Sequence, residues 1–317
     1  MQKSNLNLVD SRVPGSWGSL LVLIGFVLIG MAVGNVLALL LLALFLSVDA
    51  GSAVTLLNLL ITHPDQVPDG WNAMMILQGT VHFFSYLLPA LLYWVFIERR
   101  TLQNLGSREI PELKIWLLAL ASVLIFIPLN SKFIEWNAAM KLPDAFSGLE
   151  VWMREKEDKL AVLTDFLTSY NKFSQLLIAL FVVVLLPALG EEALFRGIIQ
   201  KKLFQQWGNF HLAIWISAAI FSAIHFQFYG FLPRMLLGAL FGYLYYWTGS
   251  LWIAILAHFL NNGFVLVMVY LYNIKTLDVN IEETKSMPLP IVLASLVLTA
   301  IVLFIIKNAS LKHKTIT

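Results

Sequence analysis

The chain has 317 residues, of which 59% are hydrophobic and 13% are charged, and its formal net charge is +2. No soluble domain of this length has such a composition, so the sequence predicts an all-α, polytopic membrane bundle. The absence of cysteine excludes disulfides, thiolate metal sites and a cysteine nucleophile. No block of basic residues of the kind that binds nucleic acid is present.

Eight apolar segments are candidates for membrane-spanning helices, on the expectation of roughly 20 residues per span. They lie near residues 18–47, 74–97, 115–130, 173–195, 210–226, 232–247, 250–272 and 288–306. The third and sixth are short, which predicts tilted or partly buried helices. No internal repeat or separate soluble domain is evident, so we expect a single membrane domain over residues 1–317.

The distribution of lysine and arginine predicts the orientation of these spans. Four segments are basic: the N-terminal tail, the loop after the second span, the segment after the fourth span and the C-terminal tail. The loop 48–72 contains no lysine or arginine. Both termini are therefore expected in the cytoplasm, in a multi-pass protein of the cell membrane. The segment 131–172, placed outside, mixes six basic with seven acidic residues, and such mixed loops translocate readily.

That same segment carries apolar residues at helical intervals, which predicts an amphipathic helix. They are Leu149, Trp152, Leu160, Leu163, Phe166 and Leu167. Two interpretations remain open at this point. The helix either guards or feeds a site at the membrane interface, or it is a solvated loop helix that lies on the bilayer.

Two adjacent carboxylates and an arginine follow the apolar run of the fourth span. Glu192 and Arg196 are four residues apart, the spacing of an ion pair on one helix face. Glu191 is five residues from Arg196 and points elsewhere, so it is left free for chemistry. Pro187 predicts a kink and a loosened backbone just before the acids. Ionisable groups at membrane depth usually mark a site, but a helix end with solvated charges is the alternative.

Two histidines occupy apolar segments further along the chain, each with a partner four residues away. Phe221 is expected to stack on the same helix face as His225, and Asn262 to project beside His258. Either histidine alone could be a core residue bonded to a carbonyl, but polar groups from three separate helices are hard to explain as packing. His225 lies near the far end of its span, so a short tilted helix or a re-entrant stretch is needed to bring it to Glu191.

A free carboxylate and a neutral imidazole can hold and deprotonate a water molecule. A second imidazole and an amide supply donors for a developing oxyanion. This predicts amide hydrolysis by activated water, without a covalent intermediate and without a cofactor. A zinc site of His225, His258 and Glu191, with Asn262 beside it, is the alternative. The helical zinc-protease pattern His-Glu-x-x-His is absent.

These residues resemble a known family. Glu191-Glu192-x-x-x-Arg196, Phe221-x-x-x-His225 and His258-x-x-x-Asn262 match, in order, the three motifs of the CAAX prenyl endopeptidase and bacteriocin-processing family, also called the Abi or type II CAAX protease family. Each motif alone is weak, whereas the three in order are a specific signal. The resemblance covers residues 173–272, which we expect to form the protease core.

The resemblance implies an intramembrane endopeptidase that works without a metal in a cavity open to the cytoplasm. By carry-over, Glu191 and His225 activate the water, His258 and Asn262 bind the oxyanion, and Glu192 with Arg196 braces the helix. The expected partners are the lipid bilayer and a peptide or membrane-protein substrate, with no nucleic acid. Eukaryotic members cut prenylated CAAX proteins, and many bacterial members are linked to peptide maturation or bacteriocin self-immunity.

Two other classes of function are compatible with the sequence. A non-catalytic immunity or scaffold protein would bind a peptide or a partner membrane protein, although a binder has no need of a desolvated carboxylate. A small transporter would use Glu191 and His225 as a proton relay. Transporters usually show repeated halves with broken helices, and no such symmetry is present in this sequence.

Overall fold

The computed structural model describes residues 16–101, 111–278 and 285–316. Within these ranges the chain forms ten helices and no strands. The helices are α1 Ser16–Leu46, α2 Ala50–Thr62, α3 Gly70–Ile97, α4 Leu113–Ala138, α5 Ser147–Thr168, α6 Phe173–Trp207, α7 Phe210–Ala223, α8 Phe231–Thr248, α9 Leu251–Asn273 and α10 Leu289–Ile316. The all-α membrane bundle is therefore confirmed.

Helices occur at all eight predicted spans, and six of them are long and apolar enough to cross a membrane. These six are α1, α3, α4, α6, α9 and α10. Between 22% and 44% of the most apolar window of each is buried inside the protein. The remaining apolar side chains face outward, as expected where lipid replaces water around the bundle.

Three predicted boundaries were wrong. α4 was expected to be short, but it spans 26 residues because the chain stays helical through the polar end, where Asn130 and Asn137 are buried. α6 does not end near Phe195 but continues to Trp207, with Gly208 in the left-handed conformation (φ 65°) at its end. The segment 48–72 was expected to be a loop, yet it contains α2. The Asp49 carboxylate caps α2 by accepting from the backbone N–H groups of Gly51 and Ser52.

The amphipathic helix predicted between residues 131 and 172 is present as α5. Its C-terminal half is anchored, because Leu163 and Leu167 pack against the apolar cluster around Leu42 and Leu60. Near its N-terminal end, the Trp152 ring lies 5.4 Å from the Phe228 ring. α5 thus contacts the turn that follows α7, and both interpretations of its role stay predictions.

Of the basic residues that predict the orientation, Lys3, Arg12 and Arg108 lie outside the described residues, as do the side chains of Lys312 and Lys314. The orientation of the termini and the single-domain boundary stay predictions.

Candidate active site

The candidate site is built on α6, whose hydrogen-bond ladder changes register on both sides of the two acids. Residues 180–185 and 195–199 are π-helical, and α-helix lies between them. Pro187 has no N–H to donate to the carbonyl four residues back, so the ladder loosens before Leu186, as the sequence predicted. The same arrangement occurs in α3, where π-helical residues 83–87 precede Pro89.

Glu192 and Arg196 form the expected ion pair. Arg196 Nη1 donates to Glu192 Oε1 over 2.8 Å, and the two side chains are 1% and 0% exposed. Arg196 Nη2 also donates to the carbonyl of Gly238 over 2.8 Å, and its guanidinium lies over the Phe221 ring at 4.8 Å. The alternative of a helix end with solvated charges is therefore wrong, because these charges are fully buried.

Glu191 lies beside three imidazoles instead of beside Arg196. Its Oε1 is 3.9 Å from His225 Nε2 and 3.9 Å from His82 Nε2, and its Oε2 is 3.9 Å from His258 Nε2. These distances are too long for direct hydrogen bonds and suit contacts bridged by water. Glu191 is 6% exposed. The structure thus brings together the predicted residues Glu191, His225 and His258, and it adds His82, which was not predicted from the sequence.

His225 reaches Glu191 because α7 is short. The helix has 14 residues and ends at Ala223, so His225 lies in a turn instead of at the far side of a full span. Its Nδ1 is 2.8 Å from the carbonyl of Phe221. A carbonyl only accepts, so Nδ1 carries the proton and a neutral His225 presents the lone pair of Nε2 to Glu191.

Phe221 contacts His225, but not by the stacking that the sequence analysis expected. The two rings are edge-on, with centroids 5.1 Å apart and an interplanar angle of 68°. The ring is instead shared, since it also contacts Phe195 edge-on at 5.2 Å and Arg196 through its face. Phe221 therefore packs α7 against α6 and gives the guanidinium an apolar cover.

His258 and Asn262 project side by side from α9, as predicted. His258 Nδ1 is 2.9 Å from Glu192 Oε1, and its Nε2 is 3.1 Å from Asn262 Nδ2. Asn262 Oδ1 accepts from Asn261 Nδ2 over 3.0 Å. Because Glu192 only accepts, Nδ1 carries a proton, and Nε2 accepts from Asn262 in the neutral form. The second hydrogen of Asn262 Nδ2 is then available to another acceptor.

His82 is the residue that sequence reasoning missed. It lies in α3, within the predicted second span, and its imidazole stacks on the Tyr86 ring with centroids 4.5 Å apart. Ionisable residues inside a span are the usual signal for a site, and that signal was present in the sequence. The position of His82 against Glu191 could not be read from the sequence, because it depends on how α3 packs against α6.

The turn that carries His225 is held from α4 and borders a pocket. Asn137 Nδ2 donates to the carbonyl of Phe228 over 3.2 Å, and its Oδ1 accepts from the Leu232 N–H over 2.7 Å. A pocket of about 420 Å³ opens beside this turn. Its lining is largely aromatic and apolar and includes Trp152, Ala223, Phe226, Phe228 and Phe231.

The zinc alternative requires His225, His258 and Glu191 to present free ligand atoms to one point. Across residues 16–101, 111–278 and 285–316, no group of three or more histidine or acidic side chains is arranged to hold a metal ion. In its neutral form His258 uses both ring nitrogens, one toward Glu192 and one toward Asn262, so it has no lone pair left for zinc. In these positions the residues of the zinc alternative do not form a metal-binding group, and the absence of a cofactor stays a prediction.

Comparison with known proteins gives a family match in the same part of the chain. Residues 173–264 match the model of the type II CAAX prenyl endopeptidase Rce1-like family. The resemblance inferred from the three motifs is thereby confirmed, and all the motif residues fall inside the match.

Three relatives are similar over parts of their length. The uncharacterized protein YpbD of Bacillus subtilis is 34% identical over 82 residues, 25% of this chain and 39% of that protein. YdiL, a candidate membrane peptidase of Bacillus subtilis, is 28% identical over 196 residues, 61% of this chain and 71% of that protein. The membrane-embedded CAAX protease MroQ of Staphylococcus aureus is 36% identical over 96 residues, 28% of this chain and 38% of that protein. No solved structure matches.

Proposed function

We propose that the chain is a membrane-embedded endopeptidase in which Glu191 activates a water molecule for attack on a peptide bond. One observation carries the proposal: Glu191, a buried carboxylate with no arginine partner among the described residues, faces three imidazole nitrogens, while the adjacent Glu192 takes the ion pair. The family match and the names of YdiL and MroQ support a membrane peptidase.

The proposed reaction begins with a water molecule between Glu191 and His225. Glu191 Oε1 takes a proton from this water, and the lone pair of His225 Nε2 accepts its second hydrogen. The water oxygen then bonds to the carbonyl carbon, and the carbonyl electron pair moves onto the oxygen. When the tetrahedral intermediate collapses, the C–N bond breaks and Glu191 returns the proton to the leaving amine.

The oxyanion is stabilised from α9. Asn262 Nδ2 keeps one hydrogen for it while the other binds His258 Nε2. His258 itself can donate from Nε2 only when both ring nitrogens carry protons. Glu192 and Arg196 act as positioning residues, since Glu192 orients His258 through Nδ1 and Arg196 ties α6 to α8 at Gly238.

The site would open to the cytoplasm, with both termini on that side of a cell membrane. The substrate would be a peptide or membrane protein, and no cofactor would be required.

The proposal is tested by comparing peptide termini of membrane proteins in cells that carry the wild type or Glu191→Gln at equal expression. The amide cannot take the proton from water, so new termini present with the wild type should vanish with the variant. Glu155→Gln makes the same change on an exposed residue of α5 and should leave them unchanged. Identical termini in all three strains would overturn the proposal and favour a binding protein.

A further inference from the structure

His82 has a buried nitrogen that the proposed mechanism does not use. Its Nε2 is buried, has no hydrogen-bond partner among the described residues, and lies 3.9 Å from Glu191 Oε1. A buried polar group left unsatisfied loses its bonds to water without replacement, so such groups are rare and usually serve a purpose. This nitrogen points at the one carboxylate to which the chemistry is assigned.

The fold holds His82 in this position from two sides. The π-helical residues 83–87 begin directly after it, and stretches of this kind are frequent at functional sites. Gly190 lets α6 approach there, because a Cβ at this position would lie 3.0 Å from the backbone nitrogen of Leu87 and 3.1 Å from Tyr86 Cβ. The Tyr86 ring, nearly parallel to the imidazole at 19°, then fixes the plane of His82.

His82 and His225 flank the same oxygen atom. Both Nε2 atoms are 3.9 Å from Glu191 Oε1. Consider a water oxygen that lies about 2.8 Å, a normal hydrogen-bond distance, from both Glu191 Oε1 and one of these nitrogens. The angle at the water between the two atoms is then about 90°, which a water molecule tolerates. His225 Nε2 accepts, because Nδ1 holds the proton. His82 has no such constraint among the contacts described, so it can present Nε2 as the donor.

We propose that His82 is a further catalytic residue, whose Nε2–H binds the oxygen of the attacking water while Glu191 and His225 accept its two hydrogens. This inference rests on the proposed function. With three of its four hydrogen-bonding positions filled, the water has one lone pair left for the carbonyl carbon. The proton leaves for Glu191 as described above, and His82 begins and ends the cycle with the same protons.

Two substitutions separate the nitrogen from the shape of the ring. His82→Phe keeps a ring to stack on Tyr86 but removes the donor, whereas His82→Gln keeps an N–H donor. We expect His82→Phe to lower kcat by about 10²–10³-fold with little change in KM, the loss typical of one positioned catalytic donor. His82→Gln should recover at least about a tenth of the wild-type kcat, because the amide can still bind the water. The control His63→Phe alters an exposed histidine and should leave kcat unchanged.

These rates are measured with a peptide substrate that contains the cleavage site identified by the comparison of termini. If His82→Phe cleaves at the wild-type rate while Glu191→Gln is inactive, the inference is overturned and the proposed function stands. A loss in His82→Phe that His82→Gln does not relieve would also contradict it, since packing and not the donor would then be responsible.

A measurement that needs no substrate keeps the two proposals separable. Nuclear magnetic resonance of the detergent-solubilised chain with isotopically labelled histidine reports each imidazole nitrogen, and the His82 signals are those lost in His82→Phe. We expect the His82 Nε2 signal to shift, and its exchange with water to change, when Glu191→Gln removes the carboxylate. An unchanged signal would overturn the inference. If the wild type cleaves nothing, the proposed function fails, and this measurement alone decides whether His82 and Glu191 share a water.

Discussion

Replacement of Arg196 by methionine tests whether the buried ion pair holds the site together. The substitution leaves Glu192 fully buried and without its cation, and it removes the bond to the Gly238 carbonyl. Removing one partner of a buried pair typically costs 3–5 kcal/mol, because an uncompensated charge remains in an apolar surrounding. Methionine fills a similar volume, so little of this loss would come from a cavity. We therefore expect the free energy of unfolding to fall by about 3–5 kcal/mol.

The assay is reversible unfolding in mixed detergent micelles, and the chain offers a matched control. Arg154 and Glu150 have the same four-residue spacing and an N–O distance of 2.7 Å, but Arg154 is 42% exposed. Arg154→Met should therefore cost less than about 1 kcal/mol. The double variant Glu192→Gln/Arg196→Met removes both charges and should lose less than Arg196→Met alone. A loss below about 1 kcal/mol for Arg196→Met would refute the reasoning.

Three further predictions concern packing, the His225 turn and the metal. Gly30→Ala would place a Cβ 2.1 Å from the Phe84 carbonyl oxygen, so we expect the free energy of unfolding to fall by about 1–3 kcal/mol. Gly25→Ala in the same helix meets no described atom within 4 Å and should be neutral. Equal effects of the two variants would contradict the close packing of α1 on α3. Asn137→Ala leaves the Phe228 carbonyl and the Leu232 N–H unpaired and should lower both the stability and the cleavage rate. Asn137→Asp should be intermediate, because its carboxylate still accepts from the Leu232 N–H. An alanine variant with unchanged stability and rate would show that Asn137 does not hold the turn. Treatment with a metal chelator should leave the cleavage rate unchanged, since His258 uses both ring nitrogens in its neutral form. A loss of cleavage that added zinc restores would contradict this prediction.

The sequence predicted those parts of the site that depend on spacing within one helix. The four-residue spacings place Glu192 beside Arg196 and His258 beside Asn262, and the structure shows both contacts. The five-residue spacing likewise left Glu191 away from Arg196. Helix geometry alone determines such neighbours, so no knowledge of the tertiary structure was needed.

Features that depend on packing between helices could not be predicted in the same way. His82 reaches Glu191 only because Gly190 allows α6 to approach the π-helical stretch of α3, and neither condition is visible in the spacing of residues. Phe221 meets His225 edge-on because Arg196 and Phe195 compete for the same ring. The length of α4 was underestimated because Asn130 and Asn137 in its polar end are buried, a tertiary effect that hydropathy does not report.

The central claim is that this chain itself hydrolyses peptide bonds with Glu191 as the base. The most direct measurement incubates the purified chain in liposomes with membrane proteins from cells that lack it, in water enriched in heavy oxygen, and reads the label in new C-termini by mass spectrometry. The account predicts labelled C-termini with the wild type and with Glu155→Gln, and none with Glu191→Gln at an equal free energy of unfolding. Labelled termini from Glu191→Gln at the wild-type rate, or none from the wild type, would contradict it.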